Sequence, residues 1–233
     1  MKKGIVILAI LVLASGFLFS LELKNSTFIG GVSYDYITAE GHSYGNPEDP
    51  LLPGNVPFTS KVAGLSVYGG YDVQIGNRWY SRFEYELLVY NTSFNYKGSD
   101  IGKDVTGIKR KGSKKCFGGY VVLDLKNGIK LNLGGVVTNI TMGMTIADSG
   151  FDSEFVQDLI GIGLIFEGQY DLNRHFTLRF GIVPDLTFLT VDRYEINYKD
   201  AEGPTSRKVS DSRTTLFDMG FSISARMGVS YKF

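Results

Sequence analysis

Apolar side chains recur at every second position from Ala63 to Ile75: Ala63, Leu65, Val67, Gly69, Tyr71, Val73 and Ile75 alternate with Val62, Gly64, Ser66, Tyr68, Gly70, Asp72 and Gln74. A period of two belongs to a strand whose two faces meet different surroundings. The same alternation runs through Trp79, Ser81, Phe83, Tyr85, Leu87 and Val89, then through Ile160 to Leu172, Phe176 to Phe188 and Phe217 to Phe233. The apolar faces of these five segments hold 36 positions and no charge, whereas a chain that is 21% charged would place about seven or eight there by chance. Charge has been excluded from one face. Three more segments, Phe28 to Ala39, Lys115 to Lys126 and Ile129 to Thr141, keep the period but carry Gly-Gly pairs such as Gly134-Gly135 that put one glycine on each face.

The connections between these eight predicted strands alternate in length. Glu40–Ser60, Lys97–Lys114, Met142–Asp158 and Val191–Thr214 read as long loops; Gly76–Arg78, Asn127-Gly128 and Asn173–His175 read as tight turns. Asn-Gly is the signature of a two-residue hairpin turn, because both central residues must adopt positive φ. Pro184 falls on the apolar face of the seventh segment, where a missing ladder donor predicts a bulge or the upper limit of the apolar band.

Alternation alone does not say which face is outside. The polar face is rich in small residues (Gly64, Ser66, Gly70, Gly161, Gly163, Gly181, Gly220, Ser222, Ser224, Gly228), which suits the cramped interior of an eight-stranded barrel better than a soluble exterior. Aromatic rings collect at both ends of the apolar face: Tyr71, Trp79, Tyr170, Phe176, Tyr231 and Phe233 near the turns, Tyr34, Tyr36, Phe117 and Phe188 near the loops. Rings in those places match the two headgroup levels of a bilayer. The expected fold is therefore an all-β, eight-stranded, antiparallel up-and-down transmembrane barrel with short periplasmic turns and long extracellular loops, rather than a soluble β-barrel.

The first residues agree with export. Met1-Lys2-Lys3 precedes an uncharged apolar run from Ile5 to Leu13 and small residues at Ala14-Ser15-Gly16 and Ser20, the three parts of a secretory signal. Cleavage after Gly16 or after Ser20 is acceptable; Ser20 is preferred, which gives a signal peptide at 1–20 and a barrel at 21–233. The breaks at Gly and Ser favour cleavage over an uncleaved anchor. Lys and Arg equal Asp and Glu at 24 each, so there is no electrostatic footprint for nucleic acid, and the single Cys116 leaves no intramolecular disulfide.

Candidate chemistry lies on the polar face and in the loops. Arg82, Glu84, Glu86, Glu167, Arg179 and Arg226 are expected to form a lumen network at intermediate heights, with Asp72, Asp124, Lys130 and Asp171 nearer the turns. A lumen of eight strands leaves room only for side chains, so paired charges predict a plug and not an ion pathway. Lys109, Arg110, Lys111, Lys114 and Lys115 form a basic cluster at the outer rim, a candidate contact for polyanions or anionic headgroups. His42-Ser43 and Ser99-Asp100 are a weak catalytic set for acyl chemistry, and His175 sits in a turn. No set of residues has zinc spacing, Glu48-Asp49 lacks the oxygen count for Ca²⁺, and no cofactor is expected.

The signal, the eight alternating strands, the four long loops and the end Tyr231-Lys232-Phe233 resemble the small bacterial outer-membrane barrels of the OmpX, OmpW and opacity-protein type. The quotable motif is the last strand, with Met227, Val229, Tyr231 and Phe233 on one face. The resemblance implies residence in the bacterial outer membrane, contact with its lipid, and an assembly signal in that motif read by the barrel-assembly machinery. It also implies a non-enzymatic surface role through the loops (adhesion, surface protection or envelope structure, with a host or extracellular ligand), the alternative being an OmpW-like narrow channel for small hydrophobic molecules. A lipid-acyl-modifying barrel enzyme is the remote alternative. Deleting Phe233 is predicted to abolish outer-membrane insertion, scored by heat-modifiable migration of the membrane fraction; normal insertion of the truncated chain would contradict the assembly role.

Overall fold

The computed structural model describes residues 26–43, 56–88, 91–96, 109–125, 127–147, 151–200 and 203–232. The leader, Phe233 and the Ser99-Asp100 pair lie outside them. The strands in chain order are β1 (Ser26–Ser43), β2 (Val56–Gln74), β3 (Trp79–Leu88), β4 (Asn91–Tyr96), β5 (Lys109–Asp124), β6 (Ile129–Ala147), β7 (Phe151–Asp171), β8 (Phe176–Asp200) and β9 (Gly203–Lys232). β3 and β4 both pair with β2 and make one stave in two lengths. Each stave pairs antiparallel with its neighbours, and β1 pairs with both β2 and β9, so up to the rim eight staves close into a barrel without a free edge.

Register fixes the shape of this barrel. A line drawn through ladder partners leaves β5 at Ser113 and passes Leu87, Val67, Val32, Met227, Phe180, Gly168 and Leu131 before returning to β5 ten residues away, at Leu123. A stagger of that size around eight staves requires strands tilted by roughly 40°. The bore is then just wide enough for side chains to fill.

Each predicted apolar face points outward. Leu65, Trp79, Ile162 and Met227 are more than half exposed, whereas Ser66, Arg82, Gly161 and Arg226 on the other face are buried. The first charges met on the outer face, moving away from the turns, are Lys61, Lys115, Asp158 and Arg193. Between Ile75 and Ala63 the uncharged band rises about 30 Å at the tilt above, the thickness of a hydrocarbon core.

The turns end the wall sharply. Asn127 (φ 63°) and Gly128 (φ 76°) both adopt positive φ, as the two-residue hairpin requires. Beyond the charged rim the structure departs from the expected loops, because strand pairing continues. β6 and β7 stay paired to Ala147↔Asp152, β8 and β9 to Asp200↔Gly203, and β1 and β2 to Ser43↔Val56. Residues 142–158 and 191–214, read from sequence as loops, are mostly ladder. The reason is physical: above the membrane both faces of a hairpin meet water, so the alternation that betrays a strand disappears while its hydrogen bonds remain.

The wall also divides above the rim. Pairing of β1 with β9 stops at Thr38↔Phe221 and that of β3 with β5 at Leu87↔Ser113. Further out, β1, β2 and β4 form one blade and β5 to β9 another. A bulge marks the parting: Phe188 is skipped in the ladder to β7, and residues 217–219 oppose it on β9. Pro184 acts differently from the expected bulge. The β7–β8 ladder stays in register but lapses between Gly163↔Asp185 and Phe166↔Ile182, the stretch where proline has no N–H to give.

Inward glycines make room for the bulky inward side chains. Gly118 is paired with Arg82, Gly134 with Tyr120, Gly70 with Glu84, and Gly181 with both Glu167 and Arg226. A Cβ on Gly134 would lie 2.1 Å from the Gly119 carbonyl oxygen and 2.5 Å from Tyr120 Cβ, whereas one on outward Gly135 would meet nothing nearer than 3.7 Å. Gly134→Ala is therefore predicted to destabilise the barrel by about 1–3 kcal/mol through overpacking, while Gly135→Ala leaves it unchanged. Urea unfolding in detergent micelles, read by the heat-modifiable band, checks the pair; equal midpoints would contradict the account.

Candidate functional site

The interior is the part of this molecule with chemistry to explain. Among the described residues, inward positions of the staves supply four cations, Arg82, Lys114, Arg179 and Arg226, and seven carboxylates, Asp35, Asp72, Glu84, Glu86, Glu167, Asp185 and, further toward the loops, Asp192, all of them buried. An isolated charge in such a place would cost several kcal/mol, so each must find a partner across the bore.

The lower knot forms where β2, β3, β7 and β8 face one another. Arg82 clasps Asp72 with Nε to Oδ1 at 2.8 Å and Nη2 to Oδ2 at 3.1 Å, and its Nη1 and Nη2 reach Glu167 at 3.0 Å each. Arg179 Nη1 bonds the same two carboxylates, at 2.5 Å and 3.1 Å. Tyr120 donates its hydroxyl to Asp72 at 2.7 Å, and Asn132 donates to Glu167 at 2.7 Å. The Arg82 guanidinium also lies 4.9 Å from the centre of the Tyr120 ring, which stacks on Tyr80. The planar fork of Arg82, bidentate to each of two carboxylates, is the geometry for which arginine is suited and lysine is not.

The upper knot ties β9 to β3. Arg226 reaches Glu84 at 2.5 Å and Glu86 at 3.2 Å and lies 5.3 Å from the Tyr68 ring centre. Ser33 lies within hydrogen-bond reach of both Glu86 and Asp35. A third tether crosses from β5 to β8 and β9: Lys114 Nζ donates to Asp185 at 2.7 Å and to Ser222 and Ser224 at 3.1 Å each.

Apolar groups close the remaining space. Cys116, Tyr120, Val122, Val136, Ile165 and Val183 pack together along β5 to β8. Ile37, Ala39, Val62, Leu88, Ile140, Met142 and Leu159 form a second cluster. On β1, β2 and β3 its members lie just on the loop side of the charged or polar lumen residues. The lumen thus holds a charged layer capped by an apolar one.

The six lumen residues singled out in the sequence are all in the bore, divided between the two knots. Asp72, placed by sequence nearer the turns than Arg82, sits at the centre of the lower knot because it is the direct ladder partner of Arg82. Lys114, Asp185, Tyr120 and Asn132 were missed, although their parity with Gly118, Gly181 and Gly134 marks them as inward. Lys114 is also a correction to the basic cluster: it is fully buried on Asp185 and unavailable to an external polyanion. Lys115, one residue on, is exposed on the outer face; the side chains of Lys109, Arg110 and Lys111 lie outside what is described. Met227 and Val229 are exposed on the lipid-facing side with Tyr231 half-buried beside them. His175 lies at the turns, its Nδ1 3.1 Å from the Lys232 carbonyl and its ring stacked on Tyr231.

No protein-family model matches the chain, and no curated protein matches it in sequence. Solved structures do share its fold. The outer membrane protein OprG from Pseudomonas aeruginosa aligns with a TM-score of 0.51 at 17% identity, over 89% of this chain and 95% of that one. Outer membrane protein AlkL, solved in lipid bilayers, aligns at 0.47 and 15% over 92% and 93%, and Neisserial surface protein A at 0.46 and 15% over 90% and 97%. The fold is that of the small outer-membrane β-barrels.

Removing one member of a buried pair leaves the other unpaired. Lys114→Ala is predicted to destabilise the folded barrel by about 3–5 kcal/mol, and Lys114→Met combined with Asp185→Leu to recover most of that loss. Denaturant midpoints of the two variants decide it. A single variant as stable as the parent would show that the tether carries no stability.

Proposed function

We propose that this chain is a non-enzymatic, integral protein of the bacterial outer membrane whose barrel is a sealed anchor and whose function is displayed by the two blades above the rim. One observation carries the reading: every cation in the core of the bore is tied to a carboxylate on a facing or adjoining stave, and an apolar layer lies over them. A bore crossed in this way lacks the width of an aqueous pore, and its cations are not free to line one. The β8–β9 ribbon, by contrast, continues from Leu189↔Leu216 to Asp200↔Gly203, roughly 35 Å of paired chain beyond the bulge. Adhesion, surface protection and envelope structure all use such a projection.

The orientation follows from the fold, with turns in the periplasm and blades outside. The outward face then meets lipid, and the terminal strand, with Met227, Val229 and Tyr231 on that face, is the segment offered to the barrel-assembly machinery. Passage of small hydrophobic molecules is the second reading. It is supported by the ladder lapse opposite Pro184 and by the apolar layer of the upper bore. The layer is packed, however, with Ile37, Val62, Ile140 and Leu159 each 1% exposed, so nothing passes without separating it. Acyl-modifying chemistry has less support: of its candidate set, Ser99-Asp100 and the side chains of His42-Ser43 lie outside the described residues, and the other histidine, His175, is engaged at the turn end of the barrel.

Purified protein in planar bilayers is predicted to give no large, stable conductance. Arg226→Ala, which frees Glu84 and Glu86 and removes the side chain that crosses the bore, is predicted to raise leak current. Nanosiemens open channels in the parent protein would overturn the sealed-anchor reading.

A further inference from the structure

The turn end of the bore opens into a cup of about 230 Å³ that the knots do not use. Five cations line it: Arg78, Lys130, Arg174, Arg179 and Lys232. Against them stand two carboxylates, Asp124 and Asp171. Asp171 is already held by Lys130 at 2.7 Å and by the Thr177 hydroxyl at 2.9 Å, and Asp124 lies 3.9 Å from Arg78 across a largely exposed gap. Arg179 is neutralised by Asp72 and Glu167 in the lower knot, so the surplus of positive charge in the cup rests on Arg174 and Lys232, although the whole chain is neutral.

Arg179 closes the inner end of the cup, buried, with its Nη1 committed to the lower knot and its Nε occluded from the opening, so binding falls to the groups at the mouth. Those groups say which kind of anion fits. Arg78 and Arg174 stand in two of the three tight turns, Asn77 and Asn173 add polar side chains beside them, and Tyr80 and Tyr120 wall the inner end. Guanidinium groups lining a small polar cavity suit the tetrahedral oxygens of a phosphate. The volume holds one phosphate group with several waters.

We infer that this turn-end cup is a binding site for a phosphate group, presented either by an anionic phospholipid headgroup or by a soluble phosphate ester. The cup opens beside the aromatic ring of the wall, where Trp79 and Phe176 are exposed and where a headgroup would lie. Arg78 and Arg174 would bind the phosphate from the turns, with Lys130 and Lys232 lining the same cup. The site adds to the sealed-anchor reading without depending on it, since a bore that conducted would leave the five cations where they are.

The test uses the full chain, folded in a phosphate-free nonionic detergent. Calorimetric titration with inorganic phosphate is expected to show saturable binding that weakens at least tenfold in R78Q/R174Q and persists in K61Q, whose charge is at the opposite rim. Should R78Q/R174Q fail to fold, R78K/R174K serves instead: point charges keep binding while losing the two-pronged fit, so affinity falls but does not vanish. In parallel, the protein is placed in phosphatidylcholine nanodiscs containing phosphatidylglycerol and analysed by native mass spectrometry. Phosphatidylglycerol retained by the parent and lost from the variant assigns the site to a lipid headgroup. Phosphate binding without lipid retention assigns it to a soluble ester. Absence of both, or binding indifferent to Arg78 and Arg174, overturns the inference.

Discussion

A charge inside a barrel of eight strands has nowhere to go except across. The bore is too narrow for a hydration shell and the wall beyond it faces lipid, so each buried cation must meet a carboxylate on another stave or remain at prohibitive cost. Arg82, Arg179, Arg226 and Lys114 meet that demand with bonds to Glu167, Asp72, Glu84 and Asp185 that bridge staves distant in sequence. The same bonds fix the register, because sliding any stave by one residue would turn its charge to the hydrocarbon. What closes the lumen is thus also what aligns its wall.

The glycines belong to this account. A side chain as long as arginine fits the bore only where the neighbouring stave contributes no side chain, and Gly118 beside Arg82 or Gly181 beside Arg226 supplies that gap. Tyr120 beside Gly134 does the same for a ring. Large and small inward residues alternate around the bore as they do in other closed, filled barrels. The apolar layer of Ile37, Val62, Leu88, Ile140 and Leu159 then excludes water from above, which strengthens each ion pair beneath it.

How much of this was legible in the chain depends on how strictly the surroundings select. Lipid excludes charge almost absolutely, so the outward faces from Ala63 to Ile75 or from Phe217 to Phe233 could be read without a structure. Water on both faces selects far less, and the ladders through Thr145 and Glu195 were hidden in what read as loops. Parity alone would have separated Lys114, in step with Cys116 and Tyr120, from Lys115, in step with Phe117; treating Lys109 to Lys115 as one basic run obscured it. The pairing of Lys114 with Asp185 was beyond reach, because which inward residues meet across the bore is decided by the stagger of the whole barrel. Pro184 marked a real irregularity in the wall, but its effect was a lapse in one ladder, with the bulge displaced to Phe188.

The single cysteine gives direct access to the central claim. Cys116 lies in the bore, 1% exposed and 4.0 Å from Arg226, within the packed group that includes Val136 and Ile165. A small charged thiol reagent offered to the folded protein in bilayers, from either side, reports whether water and ions reach that position. A sealed lumen leaves the thiol unmodified until the barrel is unfolded and then gives complete labelling. Rapid modification of Cys116 in the folded protein would show an open path and contradict the account.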